Sequence, residues 1–265
     1  MMRGRVAYAG AIHEAYPHAR GVQLADGRIC AEEQVVWLAP VEVGTLFALG
    51  LNYAEHAKEL QFNKQNEPLV FLKGPGTVLG HRGFTRRPAD VAFMHYECEL
   101  AVVIGQTARN VQREHAMQHV AGYMIANDYA IRDYLENYYR PNLRVKNRDG
   151  ATVLGPWFVD AADIDDVTQL ELRTFVNGRL QQRGNTRELV TDIPALIEYL
   201  SGFMTLAPGD VILTGTPEGV VDVGVGDKVV CEIEGLGRLV NRIAGDAEFG
   251  RGSTAAAPGA KREPA

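Results

Sequence analysis

Apolar residues along this chain recur mainly at every second position or in short unbroken runs, the pattern of strands, and seldom at the three-to-four spacing of a helix. Residues 100–104, 123–126, 153–159, 170–176, 211–214, 229–233 and 239–243 are predicted as strands on this ground. Asn177-Gly178 tolerates positive φ at both central positions of a tight turn, so 170–176 should form a hairpin with 179–183. Residues 1–44 read as shorter strands with a turn at Ala25-Asp26-Gly27, a small N-terminal β-rich segment ahead of a main domain over 45–245. Helices are fewer. Thr191-Asp192 ahead of Pro194 makes a helix start, and Leu196, Ile197, Leu200, Phe203 and Met204 follow on one face. Further helices are predicted over 114–121 and 53–60. Residues 246–265 end in an Ala-, Pro- and Gly-rich run without apolar period and are expected to be a disordered tail. The fold class is α+β, mainly β.

Composition narrows the chemistry. The 265 residues carry a formal net charge of −6, and no Lys/Arg run marks a nucleic-acid or anionic-membrane partner. Three cysteines, none in a Cys-x-x-Cys pair, argue against a disulfide framework or a thiolate zinc site and fit a reducing, cytoplasmic setting. No apolar stretch approaches the roughly 18 residues of a membrane span.

The most informative window is His95-Tyr96-Glu97-Cys98-Glu99, which runs into the apolar residues 100–104. On a strand, His95, Glu97 and Glu99 share one face and Tyr96, Cys98 and Leu100 the other. Adjacent carboxylates leading into a buried run repel unless one is protonated or a cation lies between them. A divalent cation resolves this economically. Oxygen-only ligation suits Mg²⁺ or Mn²⁺ better than zinc, and Asp128, at the end of the apolar run 123–127, is the candidate third ligand. His115 and His119, four apart on a polar stretch, lack the following Glu of a zinc protease and read as a solvated face. The chain has no Gly-x-Ser-x-Gly elbow, and Gly74-Pro75-Gly76 is not a phosphate-binding loop.

The companion segments are Gly50-Leu51-Asn52-Tyr53-Ala54-Glu55-His56, Glu67-Pro68-Leu69-Val70-Phe71-Leu72-Lys73, Asn127-Asp128-Tyr129-Ala130-Ile131-Arg132-Asp133 and Thr214-Gly215-Thr216-Pro217-Glu218-Gly219. In that order and spacing, the set resembles the fumarylacetoacetate hydrolase family over residues 45–243. The resemblance implies a mixed β-sandwich or roll with a few packed helices and a metal at one open end. It places metal ligands at Glu97, Glu99 and Asp128, a lysine beside the metal at Lys146, and a lid-borne proton-transfer pair at His56 and Glu59. Arg132 has a family counterpart facing substrate, and the turn at Thr216 can present amide and hydroxyl groups to a bound carboxylate.

The stretch from Arg132 to Lys146 resembles the subgroup that acts in homoprotocatechuate (4-hydroxyphenylacetate) breakdown. That subgroup isomerises 2-hydroxyhepta-2,4-diene-1,7-dioate and decarboxylates 5-oxopent-3-ene-1,2,5-tricarboxylate. Its long form carries two family domains in tandem, so one domain here implies a homodimer or higher homo-oligomer, or a partner subunit. The expectation is a metal-dependent isomerase or decarboxylase acting on a small 2-oxo or 2-hydroxy dicarboxylate. The alternatives are an acylpyruvate- or fumarylpyruvate-type carbon–carbon hydrolase, an oxaloacetate decarboxylase and a non-catalytic family member.

Overall fold

The computed structural model describes residues 1–54, 67–135 and 142–249. The N-terminal segment supplies β1 (Met2–Tyr8), β2 (Ala11–His18), β3 (Gly21–Leu24), β4 (Ile29–Cys30) and β5 (Val36–Leu38). Next come β6 (Leu46–Gly50), β7 (Leu69–Lys73), β8 (Val78–Gly80), β9 (Phe84–Arg86), β10 (Met94–His95), β11 (Cys98–Ile104), β12 (Val120–Asp128), β13 (Ala130–Ile131) and β14 (Thr152–Asp160). The C-terminal part adds β15 (Glu171–Val176), β16 (Arg179–Asn185), β17 (Val211–Leu213), β18 (Lys228–Ile233) and β19 (Gly237–Ala244). Each strand predicted in the main segment is present.

The larger sheet runs β4-β3-β2-β1-β14-β12-β11-β17-β6-β7, with β5 added on β1 and β8 on β14. A second sheet runs β16-β15-β18-β19-β9, and β10 pairs with β13 alone. Pairing is parallel between β14 and β8, β17 and β6, and β19 and β9, and antiparallel in the other ladders, so the fold is mixed and mainly β. The hairpin of β15 and β16 turns through Asn177 at φ 51° and Gly178 at φ 81°, as the Asn-Gly pair requires. Through β1, whose Met2 and Arg3 pair with Val159 and Phe158 of β14, the N-terminal strands join the main sheet. They also close over a cluster of their own, including Val6, Val22, Leu24 and Trp37.

β11 lies between β12 and β17, and every residue in it is buried. Its alternation feeds two clusters. Cys98, Leu100, Val102 and Ile104 enter the large core together with Leu172, Cys231 and Ile233 of the second sheet, while Ala101 and Val103 pack on the other face with Met124, Ala126 and Leu213. Each buried aliphatic side chain of this kind contributes on the order of 2 kcal/mol through removal of apolar surface from water.

Helical expectations are met unevenly. The helix Ile193–Phe203 starts where predicted: the Asp192 side chain accepts from the Ala195 amide at 3.0 Å, and Ile193, Leu196, Ile197 and Leu200 are buried. Phe203, expected on the same face, is 60% exposed and packs edge-on against Tyr199, because the helix ends there and its last residue projects past the core. The helix expected over 114–121 is instead a 3₁₀ helix, Arg113–His119. Val120 and Gly122 are drawn into the ladders with β11 and β14, and sheet pairing overrides the local helical pattern. Tyr53 forms a bridge to Leu189, and most of the helix expected over 53–60 lies outside the described residues. In the expected tail, Asp246–Phe249 form a helical turn in which Asp246 accepts from Arg86 at 2.6 Å; the rest lies outside the described residues.

Candidate metal centre

β11 and β12 are antiparallel neighbours, so the first residues of one lie beside the last of the other. Cys98 pairs with Asn127 and Glu99 with Ala126. Just ahead of β11, the Asp128 amide donates to the Glu97 carbonyl at 2.9 Å and the Glu97 amide donates to Asn127 Oδ1 at 3.1 Å. Alternation then places Glu97, Glu99 and Asp128 on one face, continuing the row of Ala101, Val103, Met124 and Ala126. All three carboxylates are buried, and an oxygen of each lies within 4.8 Å of an oxygen of the other two. The strand expected to run unbroken from His95 is interrupted at Tyr96-Glu97, because β10 leaves the main sheet to pair with β13. The His95 ring nevertheless stays beside the cluster, with Nδ1 3.6 Å from Glu97 Oε1.

Cations converge on these carboxylates from separate elements. Lys146, in the helical turn Leu143–Lys146, donates from Nζ to Glu97 Oε2 at 2.6 Å and to Asp128 Oδ2 at 2.9 Å. Lys73, the last residue of β7, donates to the Lys146 carbonyl at 2.7 Å and pairs with Asp128 Oδ1. Burial pulls the Lys146 pKa down, but the carboxylates of Asp128, Glu97 and Glu99 outweigh it and hold the ammonium above its ordinary value. For Lys73, burial dominates over the attraction of Asp128, and the pKa is lowered. Glu99 is pushed well above the carboxylate range by burial and then by the charges of Asp128 and Glu97. Burial takes His95 down to about 3, so the imidazole is neutral.

The donor set fits a hard divalent cation. Glu99 Oε2 accepts from the Gly215 amide at 2.7 Å, whereas its buried Oε1 has no hydrogen-bond partner. A fully buried carboxylate oxygen with nothing to accept from is costly unless a cation faces it. Three carboxylate oxygens facing one point supply what Mg²⁺ or Mn²⁺ prefers, with further positions left for water or substrate oxygens. Among the described residues, this is the cluster of acidic, His or Cys side chains with metal-binding spacing.

The turn 214–216 is tied to the site from the other side. Gly215 has φ +92°, and a Cβ there would come within 3.0 Å of Asn52 Cβ. Asn52 donates to the carbonyls of Thr214 at 2.9 Å and Thr191 at 3.0 Å and accepts from the Thr191 amide, so it fixes the segment after β6 against this turn. The Thr216 hydroxyl donates to the Cys98 carbonyl at 2.9 Å and accepts from Gln182 at 2.8 Å, a structural use of the group expected to meet substrate.

Of the other residues singled out by sequence, Arg132 is at the rim with its side chain 23% exposed, Nη2 lying 3.7 Å from Glu97 Oε1. His56 and Glu59 lie outside the described residues. Arg144 and Arg148 stack over Tyr134, at 4.0 and 5.3 Å from the ring centre. Sequence reasoning missed Lys73 and His95 as site residues. The available signal for Lys73 was a single lysine closing an apolar strand, a position where a charge needs a buried partner. No helix among the described residues is long and apolar enough to cross a membrane.

Residues 45–244 match the family described as fumarylacetoacetate (FAA) hydrolase C-terminal. A 4-hydroxyphenylacetate degradation bifunctional isomerase/decarboxylase of Salmonella dublin is 57% identical over 230 residues, 85% of this chain and 54% of that protein. The Escherichia coli protein of the same description is 61% identical over 203 residues, 77% of this chain and 47% of its own length, so the chain spans about half the length of these curated relatives. Among solved structures, a 5-carboxymethyl-2-hydroxymuconate delta-isomerase from Mycobacterium smegmatis superimposes with TM-score 0.81 at 37% identity, covering 92% of this chain and 99% of that one. A fumarylpyruvate hydrolase from Pseudomonas aeruginosa, in complex with Mn²⁺ and pyruvate, superimposes with TM-score 0.72 at 31% identity over 78% of this chain and 91% of its own. With its sheets, its buried carboxylate cluster and a match across three quarters of its length, the chain belongs to the fumarylacetoacetate hydrolase family.

Proposed function

We propose that this chain is a divalent-metal-dependent enzyme of aromatic catabolism that isomerises 2-hydroxyhepta-2,4-diene-1,7-dioate, decarboxylates 5-oxopent-3-ene-1,2,5-tricarboxylate, or does both. The observation that carries the reading is the buried Glu97/Glu99/Asp128 cluster with Lys146 at its side. The 57% identity to an isomerase/decarboxylase of 4-hydroxyphenylacetate degradation supports the substrate class. Glu97, Glu99 and Asp128 would hold Mg²⁺ or Mn²⁺, which when bound would supply a Lewis acid for negative charge developing on the substrate's 2-oxygen. Lys146 adds a fixed positive charge beside that oxygen, and Arg132, at the rim, takes a substrate carboxylate through its guanidinium. His56, with Glu59, takes the 2-hydroxyl proton of the dienol and returns a proton to C5 as the double bonds shift to the 2-oxo-3-ene in the isomerisation, and delivers one to carbon after CO₂ leaves in the decarboxylation. Thr216 lines the same site through its turn. The chain works in the cytoplasm as a homodimer or higher homo-oligomer.

A second reading, hydrolysis of an acylpyruvate carbon–carbon bond with His56 and Glu59 activating water, is favoured by the likeness to the fumarylpyruvate hydrolase. The two separate in one experiment. Chelator-treated protein is mixed with 2-hydroxyhepta-2,4-diene-1,7-dioate or fumarylpyruvate, and the ultraviolet band of each is followed before and after Mn²⁺ addition. The proposal expects metal-dependent loss of the heptadienedioate band, and a drop of at least ~100-fold in Glu97→Ala with its circular dichroism unchanged. Metal-dependent turnover of fumarylpyruvate alone would install the hydrolase instead.

A further inference from the structure

The pairing of β10 with β13 brings two residues together that the metal cluster does not itself require. Met94 pairs with Ile131 and His95 with Ala130. The Arg132 amide donates to the Phe93 carbonyl at 3.0 Å, and Asp133 accepts from the amides of Ala92 and Phe93 at 2.9 and 2.8 Å. Residues 92–95 and 130–133 are thus clamped along their length. Within this clamp, Arg132 Nε donates to His95 Nε2 at 2.8 Å. On its other side, His95 Nδ1 lies 3.0 Å from the Tyr96 carbonyl, which can only accept. The two partners assign the tautomer: Nδ1 carries the proton and Nε2 presents its lone pair to the arginine. The ring is fully buried and packs against Phe93 at 5.5 Å, so it has no room to turn.

This matters because Arg132 Nη2 stands 3.7 Å from Glu97 Oε1, within ion-pair range of a carboxylate of the acidic cluster but beyond hydrogen-bond distance. A free guanidinium there would close on Glu97 and compete with a cation for that oxygen. We infer that His95 is a positioning residue that holds Arg132 off the metal ligand Glu97, leaving the two Nη groups of the guanidinium to take an anionic carboxylate of the substrate. The histidine blocks the side of the fork that includes Nε, so the carboxylate is met end-on. The inference rests on the metal-dependent reading.

Mn²⁺ alone is the probe, with affinity read from the free-ion signal in electron paramagnetic resonance titrations of the chelator-treated full chain. In H95N the acceptor is too short to reach Arg132, and Mn²⁺ binding should weaken about tenfold. H95Q restores an acceptor near the Nε2 position and should stay within about threefold of the parent. Removing the arginine as well, in H95N/R132M, should return the affinity to that of R132M. Should H95N fail to fold, H95F fills the ring volume without an acceptor and carries the same expectation. Parent-like Mn²⁺ affinity in the folded acceptor-free variant overturns the inference, as does a double variant no tighter than H95N. A parent protein that binds no Mn²⁺ overturns the metal reading and this inference together. One that binds Mn²⁺ normally but leaves the heptadienedioate band unchanged overturns only the isomerase assignment.

Discussion

Two clusters of carboxylates and cations sit on this molecule in contrasting surroundings. On the outer side of the second sheet, Arg173 and Arg238 reach Glu232 at 3.1 and 2.7 Å, and Arg183 pairs with Glu171. Their arginine side chains are 45%, 65% and 71% exposed, so water screens each pair, and although Arg173 reaches both acids, Glu171 and Glu232 each also hold an arginine of their own. Where β11 starts and β12 ends, three carboxylates are buried around one point, and one ammonium, that of Lys146, is shared between Glu97 and Asp128. The residue types are nearly the same. Burial turns the second group into a site, because removing water leaves the carboxylates to be neutralised by whatever the fold places there. Glu99, with an oxygen that nothing faces, marks where the protein's own groups stop.

Removing a cation from each cluster should expose the difference most sharply. Lys146→Met leaves Glu97 and Asp128 short of their shared ammonium, and metal-free protein should lose about 3 kcal/mol or more of unfolding free energy. Added Mn²⁺ should return much of it. A loss below about 1 kcal/mol in urea titrations would put the buried cluster in the same class as the surface one. A smaller effect is expected from pH. Glu99 has a raised folded pKa, so in metal-free protein its contribution is fully present below the unfolded value near 4.5 and is lost as pH rises through the folded value. Metal-free parent should therefore fall in stability relative to Glu99→Gln as pH increases, by at most roughly 1.4 kcal/mol per pH unit. Parallel pH profiles of the two would contradict the assignment. The smallest effect belongs to the surface: Arg238→Ala should change stability by less than about 1 kcal/mol, since Glu232 retains Arg173.

The strand content and the acidic face of β11 were legible because both follow from alternation, which one residue and its second neighbour reveal. Glu97 and Glu99 announced themselves in this way, and Asp128 by closing an apolar run. The break at Tyr96-Glu97 was not legible, since it depends on β10 pairing with β13 some thirty-six residues away. Lys73 was hidden for the same reason: nothing near β7 in sequence shows that its terminal ammonium meets Asp128. The 3₁₀ helix at Arg113–His119 and the exposed Phe203 record the reverse case, a helical pattern trimmed by where the sheet ends.

One consequence of the burial of β11 concerns time. A strand paired on both sides, with its side chains filling two cores, opens only when most of the protein does, so its amides should be among the slowest to exchange with solvent. The carboxylates at its start share that rigidity. Entry and departure of a cation held there would then be governed by the short elements around them, the turn bearing Lys146 and the strand pair bearing Arg132, whose local opening should be far more frequent than that of the sheet beneath them.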